Sequence, residues 1–318
     1  MRKVFTLALL LTSFCYVNAQ TTRNSGQIVP SGKGYGIPAA ATDSEGNQIV
    51  IPDTVHTGNG INYHNGPVMA GTVNIYFIWY GNWVNGPKPS DSQTTVNLIN
   101  TLYSPSGLNG SGYEKINSTY GDNSHDVSGN LQIAGSTTVG YTQGTRLSDA
   151  RIKTIVSSAI SSGGVPKDTN GIYFVLTSSD VNETSGFCTQ YCGWHTHGTI
   201  SGSDIKYSFV GNPDRCSSAC EEETISPNGD SGADGMASIM AHETEEAISD
   251  PDLNAWYDGS GAENADKCAW KFGPTTGVLG NGAYNQTLGG LHWLIQMNWE
   301  NARKGGCDQT LGGTFYTQ

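Results

Sequence analysis

The residues best suited to chemistry lie in one stretch, "MASIMAHETEEAISD", which spans residues 236–250. Here His242, Glu243 and Glu246 form the pattern H-E-x-x-E, one residue away from the H-E-x-x-H helix that holds zinc in metalloproteases. Positions four apart share a helix face, so His242 and Glu246 can point at one ion. Glu243, rotated by about 100° on the helix, would stand beside that ion as a general base. The pattern predicts two metal ligands and one catalytic glutamate.

A third ligand is expected downstream, and two carboxylates compete for that place. Glu263, in "AENADKC", follows Glu246 by seventeen residues, a separation comparable to that of the third ligand in gluzincin proteases. Asp252 has the offset of the third ligand in metzincins, but a serine replaces the glycine that the metzincin turn needs. We therefore prefer Glu263, and we expect Asp266 to orient a ligand from outside the coordination sphere.

Two histidines, in the sequence "GWHTH", form a second candidate cluster. His195 and His197 alternate on a predicted strand, so their rings point the same way, as a metal site would require. His195 is an alternative ligand or a substrate contact, although a structural histidine is the simpler interpretation. The acidic motif has its own simple alternative, a solvated helix face. The apolar and small residues that open the helix favour burial, where unpaired glutamates are costly.

A site of one imidazole and two carboxylates is harder and more negative than the usual zinc protease site. Zinc is the expected cofactor, with calcium or manganese as alternatives. Such a site predicts a weak or specialised hydrolase.

The chain begins with features of a secretory signal. Arg2 and Lys3 precede the apolar core "LALLL", and Val17-Asn18-Ala19 is an A-x-A-like cleavage site. We predict a signal peptide over residues 1–19 and a secreted, extracellular protein with no membrane span. Removal of the signal peptide would take away Arg2 and Lys3 and so change the net charge of the chain from −12 to −14. Such an acidic protein is a poor partner for nucleic acid or anionic membranes.

Six cysteines remain after the signal, an even number that predicts three disulfides in a secreted chain. They are Cys188, Cys192, Cys216, Cys220, Cys268 and Cys307. The two C-x3-C segments predict local bridges, Cys188–Cys192 and Cys216–Cys220, which would leave Cys268–Cys307 as the third.

Hydrophobic periodicity predicts an α+β fold with the order β-α-β-α-β-β-α. The predicted strands are 71–81, 130–141 (a strand or hairpin), 171–178 and 205–212, and the helices are 90–103, 147–164 and 234–249. We expect an extended N-terminal arm over 20–66 and one domain over 67–318. That domain would have a core of about 70–250, a twisted mixed sheet backed by helices as in zincins, and a loop-rich, disulfide-stabilised C-terminal lobe over 251–318. Asp234 is the expected cap of the motif helix, with a calcium site as the alternative.

Several spaced motifs resemble the Exordium or phosphate-induced protein 1 family. They are "GFCTQYCGWH", "YSFVGNPDRCSSAC", "PNGDSGADGMASIMAHETEEAISDPDLNAWYD" and "ENADKC", in that order. The resemblance covers roughly residues 65–310 and implies a secreted protein of the cell-wall or apoplast type, linked to growth and without an assigned enzyme activity. Some members lack the histidine and glutamates that this chain keeps.

Two functions follow from these observations. The first is a secreted zinc protein, a metallopeptidase with Glu243 as general base and a peptide or protein substrate. The second is a non-enzymatic growth-signalling or glycan-binding protein whose partner is a cell-wall or other extracellular component. In the second case the metal site is structural or vestigial, and aromatic residues in "WYGNW" (79–83) and "NAWYD" (254–258) would stack on sugars if exposed.

Overall fold

The structure, a computed structural model, describes residues 29–31 and 59–315. The predicted signal peptide and residues 20–28 and 32–58 of the predicted arm lie outside the described residues. The strands are β1 Val29–Ser31, β2 Asn62–Tyr63, β3 Gly71–Tyr80, β4 Val127–Val139, β5 Arg146–Leu147, β6 Gly171–Thr177, β7 Asn182–Glu183, β8 Tyr191–Ile200, β9 Ser203–Gly211, β10 Trp256–Tyr257, β11 Gln286–Leu288, β12 Leu291–Trp293, β13 Asn298–Glu300 and β14 Gly306–Asp308. The α-helices are α1 Gln93–Leu102, α2 Asp149–Ser161, α3 Ser217–Cys220 and α4 Ser231–Ser249. Short 3-10 helices span Glu114–Thr119, Pro213–Arg215 and Asp266–Cys268.

One mixed sheet with the strand order β1-β8-β9-β6-β3-β4 organises the molecule. β4, β3, β6 and β9 run parallel, and β8 pairs antiparallel with β9. The predicted central strand β6 lies between β3 and β9, where every residue is buried. The ambiguous segment 130–141 belongs to a single strand, β4, which is parallel to β3 rather than a hairpin.

Helices cover both faces of this sheet. Side chains alternate along β8, so Gly193 and His195 face one side and Gly198 faces the other. A Cβ on Gly193 would meet Ile239 of α4, whereas one on Gly198 would meet Lys153 of α2. A sheet buried on both faces explains why β3 and β6 read as near-continuous apolar runs. The mixed sheet and its helices agree with the prediction, although the alternating, largely parallel order is closer to α/β than to α+β.

α4 is buried along its length, from Gly232 to Ser249. It begins three residues before the predicted start, because the cap is Asp230, whose carboxylate accepts from the Ala233 N–H at 3.0 Å. Asp234 was therefore the wrong cap: it lies in the first turn, where it accepts from the Asn228 side chain at 2.7 Å.

After α4 the chain forms short antiparallel pairs, β11 with β12 and β13 with β14. The apolar run "LHWLIQMNW" (291–299), which on its sequence alone would be one strand, contains two short strands, β12 and the start of β13. β10 pairs with β2, which brings Ile61 and Tyr63 at the end of the predicted arm into the core. Among the described helices, none has the length and apolarity needed to cross a bilayer.

All six predicted cysteines form disulfides, but the local pairing was wrong for two of the three. The bridges are Cys188–Cys216, Cys192–Cys220 and Cys268–Cys307. The first two each join residues 28 apart, with Cα–Cα distances of 5.7 and 5.5 Å. The two C-x3-C segments lie side by side, since the first leads into β8 and the second follows β9, its antiparallel neighbour. Each cysteine therefore faces a partner across the fold rather than along its own segment.

Candidate metal centre

The helix α4 places the three motif residues inside the molecule. His242, Glu243 and Glu246 are fully buried. As the i,i+4 spacing requires, His242 Nε2 lies 2.9 Å from Glu246 Oε1. The spacing is that of any α-helix, but the complete burial of three ionisable side chains is unusual. Such side chains rarely lie at zero exposure unless they are paired or bind a cation.

The strand β8 adds His195 to the same centre. Its Nε2 lies 3.1 Å from Glu263 Oε2 and 3.8 Å from Glu246 Oε2. The close packing of β8 on α4 depends on Gly193, where a Cβ would lie 2.7 Å from Ile239 Cγ2 and 3.1 Å from Glu243 Oε1. The strand therefore holds an imidazole against the carboxylates of the helix.

The segment 263–266 closes the centre from the other side. The Asp266 N–H donates to Glu246 Oε1 at 3.0 Å, and Asp266 Oδ1 lies 3.6 Å from His242 Nε2. The Glu263 N–H donates to Asp266 Oδ2 at 3.3 Å. A single turn after a long loop thus delivers two more buried carboxylates.

In this buried centre, two groups of three side chains have ligand atoms within 4.8 Å of one another: His242, Glu246 and Asp266, and His195, Glu243 and Glu246. Glu246 belongs to both groups. Of the predicted ligands, His242 and Glu246 meet directly, while Glu263 meets His195. Asp266, expected to be a supporting residue, has a carboxylate oxygen beside the His242 ring.

Burial and mutual repulsion dominate the electrostatics. Burial raises the pKa of Glu263 well above its ordinary value, and the charges of Glu246, Asp250 and Asp266 raise it further. Burial also raises the pKa of Glu246. Burial opposes the charged form of both histidines: it lowers the pKa of His195 to about 4. At His242 the neighbouring Glu246 and Asp266 outweigh it, so that the pKa of His242 rises well above its usual range.

Several buried atoms of the centre have no hydrogen-bond partner in the described part of the chain. They are His195 Nδ1, His242 Nδ1, Glu246 Oε2 and Asp266 Oδ1. Buried polar atoms are nearly always satisfied, so each of these needs an explanation. A divalent cation would satisfy the carboxylate oxygens and reduce the repulsion among the acidic groups. The donors, imidazole nitrogen and carboxylate oxygen, are those that zinc accepts.

The centre is closed to solvent. Each of the six residues whose side chains form it is at most 6 % exposed. They are His195, His242, Glu243, Glu246, Glu263 and Asp266. The chemistry available in this conformation is therefore binding of a small ion. Hydrolysis of a peptide would require an opening movement that admits the substrate.

The rival ligand Asp252 lies apart from this centre, in a half-exposed ion network. Its Oδ1 is 3.2 Å from Lys206 Nζ and 3.6 Å from His197 Nδ1. Asp204 joins the same network, 2.6 Å from Lys206 Nζ. The lysine supplies the positive charge there.

The aromatic residues considered for sugar stacking are mostly buried. Trp79, Tyr80 and Trp83 belong to the core, and Trp256 is nearly covered. Tyr257 is half-buried, with its ring stacked on His64 at 3.7 Å between centroids. Their role is packing.

Sequence reasoning missed a second buried acidic pair on α4. Glu245 lies beside Glu114 of the 3-10 helix Glu114–Thr119, and both are fully buried. Glu245 Oε2 accepts from Asn298 Nδ2 at 2.6 Å. The available signal was the mostly small and apolar residues on both sides of "ETEE", which favoured burial of the helix.

Comparisons with known proteins agree with this pattern of motifs. The region described as "Phosphate-induced protein 1 conserved region" matches residues 61–296. Protein EXORDIUM-like 5 of Arabidopsis thaliana is 32% identical over 277 residues, which cover 75% of each chain. Protein EXORDIUM-like 3 of the same plant is 32% identical over 70% of this chain and 72% of its own. Protein PHOSPHATE-INDUCED 1 of Nicotiana tabacum is 28% identical over 73% of this chain and 76% of its own. No solved structure gives a significant match. The chain therefore belongs to the phosphate-induced protein 1, or Exordium, family.

Proposed function

We propose that this protein is an extracellular metalloprotein whose buried centre holds one divalent cation as part of its fold. The convergence of two imidazoles and four carboxylates in a closed interior is the observation that carries the proposal. The contacts of Glu246, Glu263 and Asp266 are with imidazoles and backbone N–H groups, so their ionised forms would place excess negative charge in the centre. A bound cation offsets that charge.

Zinc is the first candidate, because two imidazoles favour it over calcium, which prefers an all-oxygen shell. Manganese is the alternative, because it suits sites that are rich in carboxylate. His242, Glu246 and Glu263 are the proposed ligands, and His195 and Asp266, whose ligand atoms lie within 4.8 Å of those of Glu246, are the alternatives. Three disulfides suit an oxidising compartment, which supports a secreted location.

Metal analysis of the purified full-length secreted form tests the proposal. We expect close to one equivalent of zinc or manganese per chain, lost in His242→Ala and in Glu246→Gln. The control is His125→Ala, which removes an imidazole of which 61% is exposed, and which should keep the metal. Metal-free protein whose melting temperature is unchanged by either cation would overturn the proposal.

A second candidate function is metal-dependent hydrolysis of a peptide bond, as in the zincin proteases that the motif resembles. It is favoured by one observation: the Glu243 carboxylate lies within 4.8 Å of ligand atoms of both His195 and Glu246. A bound cation would supply Lewis acidity there. Glu243, packed against Gly193, would take the proton from the attacking water.

Glu243→Gln separates the two candidates. If the protein is a hydrolase, this variant should keep its metal and lose cleavage of a peptide library by 100-fold or more, the order of a lost general base. If wild-type protein with full metal content cleaves no peptide, the centre is structural and the protein acts by binding an extracellular component.

A further inference from the structure

A groove at the carboxyl end of the parallel strands has no part in the metal centre. Its walls are the segments that follow β3, β6 and β9, together with β5, and its cavity volume is about 650 Å³. Ligands of open sheets with parallel strands commonly bind at this edge. The volume is within the range of about 300–1,000 Å³ for small-ligand sites.

Positive charge is concentrated in this groove. Lys88, Arg146 and Arg215 line it from three separate segments and are exposed. The whole chain has only 16 Lys and Arg against 28 Asp and Glu. Three cationic side chains around one groove therefore make it positive, in contrast to the acidic chain as a whole. The acidic residue in the lining, Glu183, is buried and turned inward, where Tyr191 and Ser185 donate hydrogen bonds to it at 2.6 Å.

The walls of the groove are fixed in place. Cys188–Cys216 joins the segment after β6 to the segment after β9, and both of these segments line the groove. Arg215 Nη1 donates to the Ser179 carbonyl at 3.0 Å, which holds the guanidinium at the rim. Cys188 has a φ of +69°, a costly conformation for a residue other than glycine. Strained backbone held by surrounding structure is typical of ligand sites.

We propose that this groove binds an acidic oligosaccharide, one whose sugar units carry carboxylate groups. The arginines match planar carboxylates with paired N–H donors. Between the cations the lining offers the short hydroxyl and amide side chains of Asn182, Thr184, Thr189 and Gln190, which suit the hydroxyl groups of sugars.

A neutral sugar fits this groove less well. Neutral sugars are held largely by exposed aromatic faces, and the aromatic ring in the lining, Phe187, is only 3% exposed. Recognition by charge and hydrogen bonding therefore dominates. This inference is independent of the metal centre and stands whether or not a cation binds there.

Calorimetric titration of the full-length secreted form tests it, with a short oligomer of galacturonic acid as the probe and no added divalent cation. A methyl-esterified oligomer of the same length removes the probe's charge, and a sulfated oligosaccharide keeps charge but changes the acid. We expect binding of the carboxylate probe that weakens with salt, and at least tenfold weaker binding of the esterified and sulfated probes.

The variant Lys88→Gln/Arg146→Gln should bind the carboxylate probe at least tenfold more weakly, since it loses two charge-assisted contacts. The matched control is Lys115→Gln/Lys304→Gln, which makes the same charge change at exposed sites away from the groove and should bind within twofold of wild type. Both variants change exposed side chains, and equal melting temperatures would verify their folding. The proposal is overturned if the carboxylate probe does not bind, if the esterified probe binds equally well, or if the control loses as much affinity as the groove variant. Equal or tighter binding of the sulfated probe would overturn the assignment to carboxylates.

Discussion

Glu246 has the most consequential position of any single residue in the centre. One of its carboxylate oxygens lies 2.9 Å from His242 and the other 3.8 Å from His195. It also accepts a hydrogen bond from the Asp266 N–H. One residue earlier, Glu245 turns to a different partner, Glu114, so consecutive glutamates of α4 take part in two distinct buried acidic groups.

The pair of Glu114 and Glu245 predicts a pH effect on stability. Burial raises the pKa of Glu114 from 4.5 to about 8. The folded protein keeps this proton at pH values where the unfolded chain has lost it. The free energy of unfolding therefore falls as the pH rises from about 4.5 to about 8, because the folded state binds more protons in that window.

Replacement of Glu114 by Gln should remove the loss of stability that comes from the deprotonation of this buried carboxyl as the pH rises. We expect the slope of the free energy of unfolding against pH to flatten between pH 5 and 8, by up to about 1.4 kcal/mol per pH unit. Urea unfolding at a series of pH values measures it. Asp126→Asn, which changes an exposed carboxylate, should leave the slope as in wild type. An unchanged slope in the Gln variant would show that Glu114 is ionised in the folded protein.

At the scale of elements, the close approach of α4 to β8 is what brings the imidazole of the strand to the carboxylates of the helix. Gly193→Ala should disturb it, since the added methyl would lie 2.7 Å from Ile239 Cγ2 and 2.9 Å from the Phe209 carbonyl oxygen. The expected cost is about 1–3 kcal/mol of stability, as for other overpacked cores, with weaker metal binding. Thermal unfolding and metal content measure the two effects. Gly140→Ala is the control, because its added methyl meets nothing within 4 Å; an equal loss there would refute the role of this contact.

The disulfides offer a second prediction for the elements around β8. Trypsin cuts unreduced protein after Lys167, Lys206 and Arg215, so crossed bridges should link peptides 168–206 and 216–267 in one species. Mass spectrometry measures this directly. Cys188→Ser should then expose Cys216 to alkylation, whereas Cys192→Ser should expose Cys220. Two unlinked peptides in the wild-type digest would instead support bridges within each C-x3-C segment.

Local sequence patterns predicted the elements better than their partners. Period and capping signals located α1, α2 and β6 to within a few residues, and helix spacing alone placed His242 beside Glu246. The disulfide pairing, the parallel register of β4, and the contact of His195 with Glu263 across 68 residues all depend on tertiary neighbours. No local signal specifies such contacts. The groove lined by Lys88, Arg146 and Arg215 could not be predicted for the same reason, because these residues are far apart along the chain.

At the scale of the whole molecule, a cation held by the folded state alone must make global stability depend on metal concentration. Above the dissociation constant, each tenfold rise in free zinc should add about 1.4 kcal/mol to the free energy of unfolding. For a domain of this size that corresponds to about 3–5 °C in melting temperature. The six cysteines that the structure describes are all oxidised, so none of them offers a thiolate with which the unfolded chain could compete for zinc. Melting curves in zinc buffers measure the slope, and His242→Ala/Glu246→Gln should abolish it. This variant removes both side chains of the 2.9 Å contact between His242 and Glu246, on which the proposed centre depends. A zinc dependence that survives in it would therefore mean that the cation binds elsewhere.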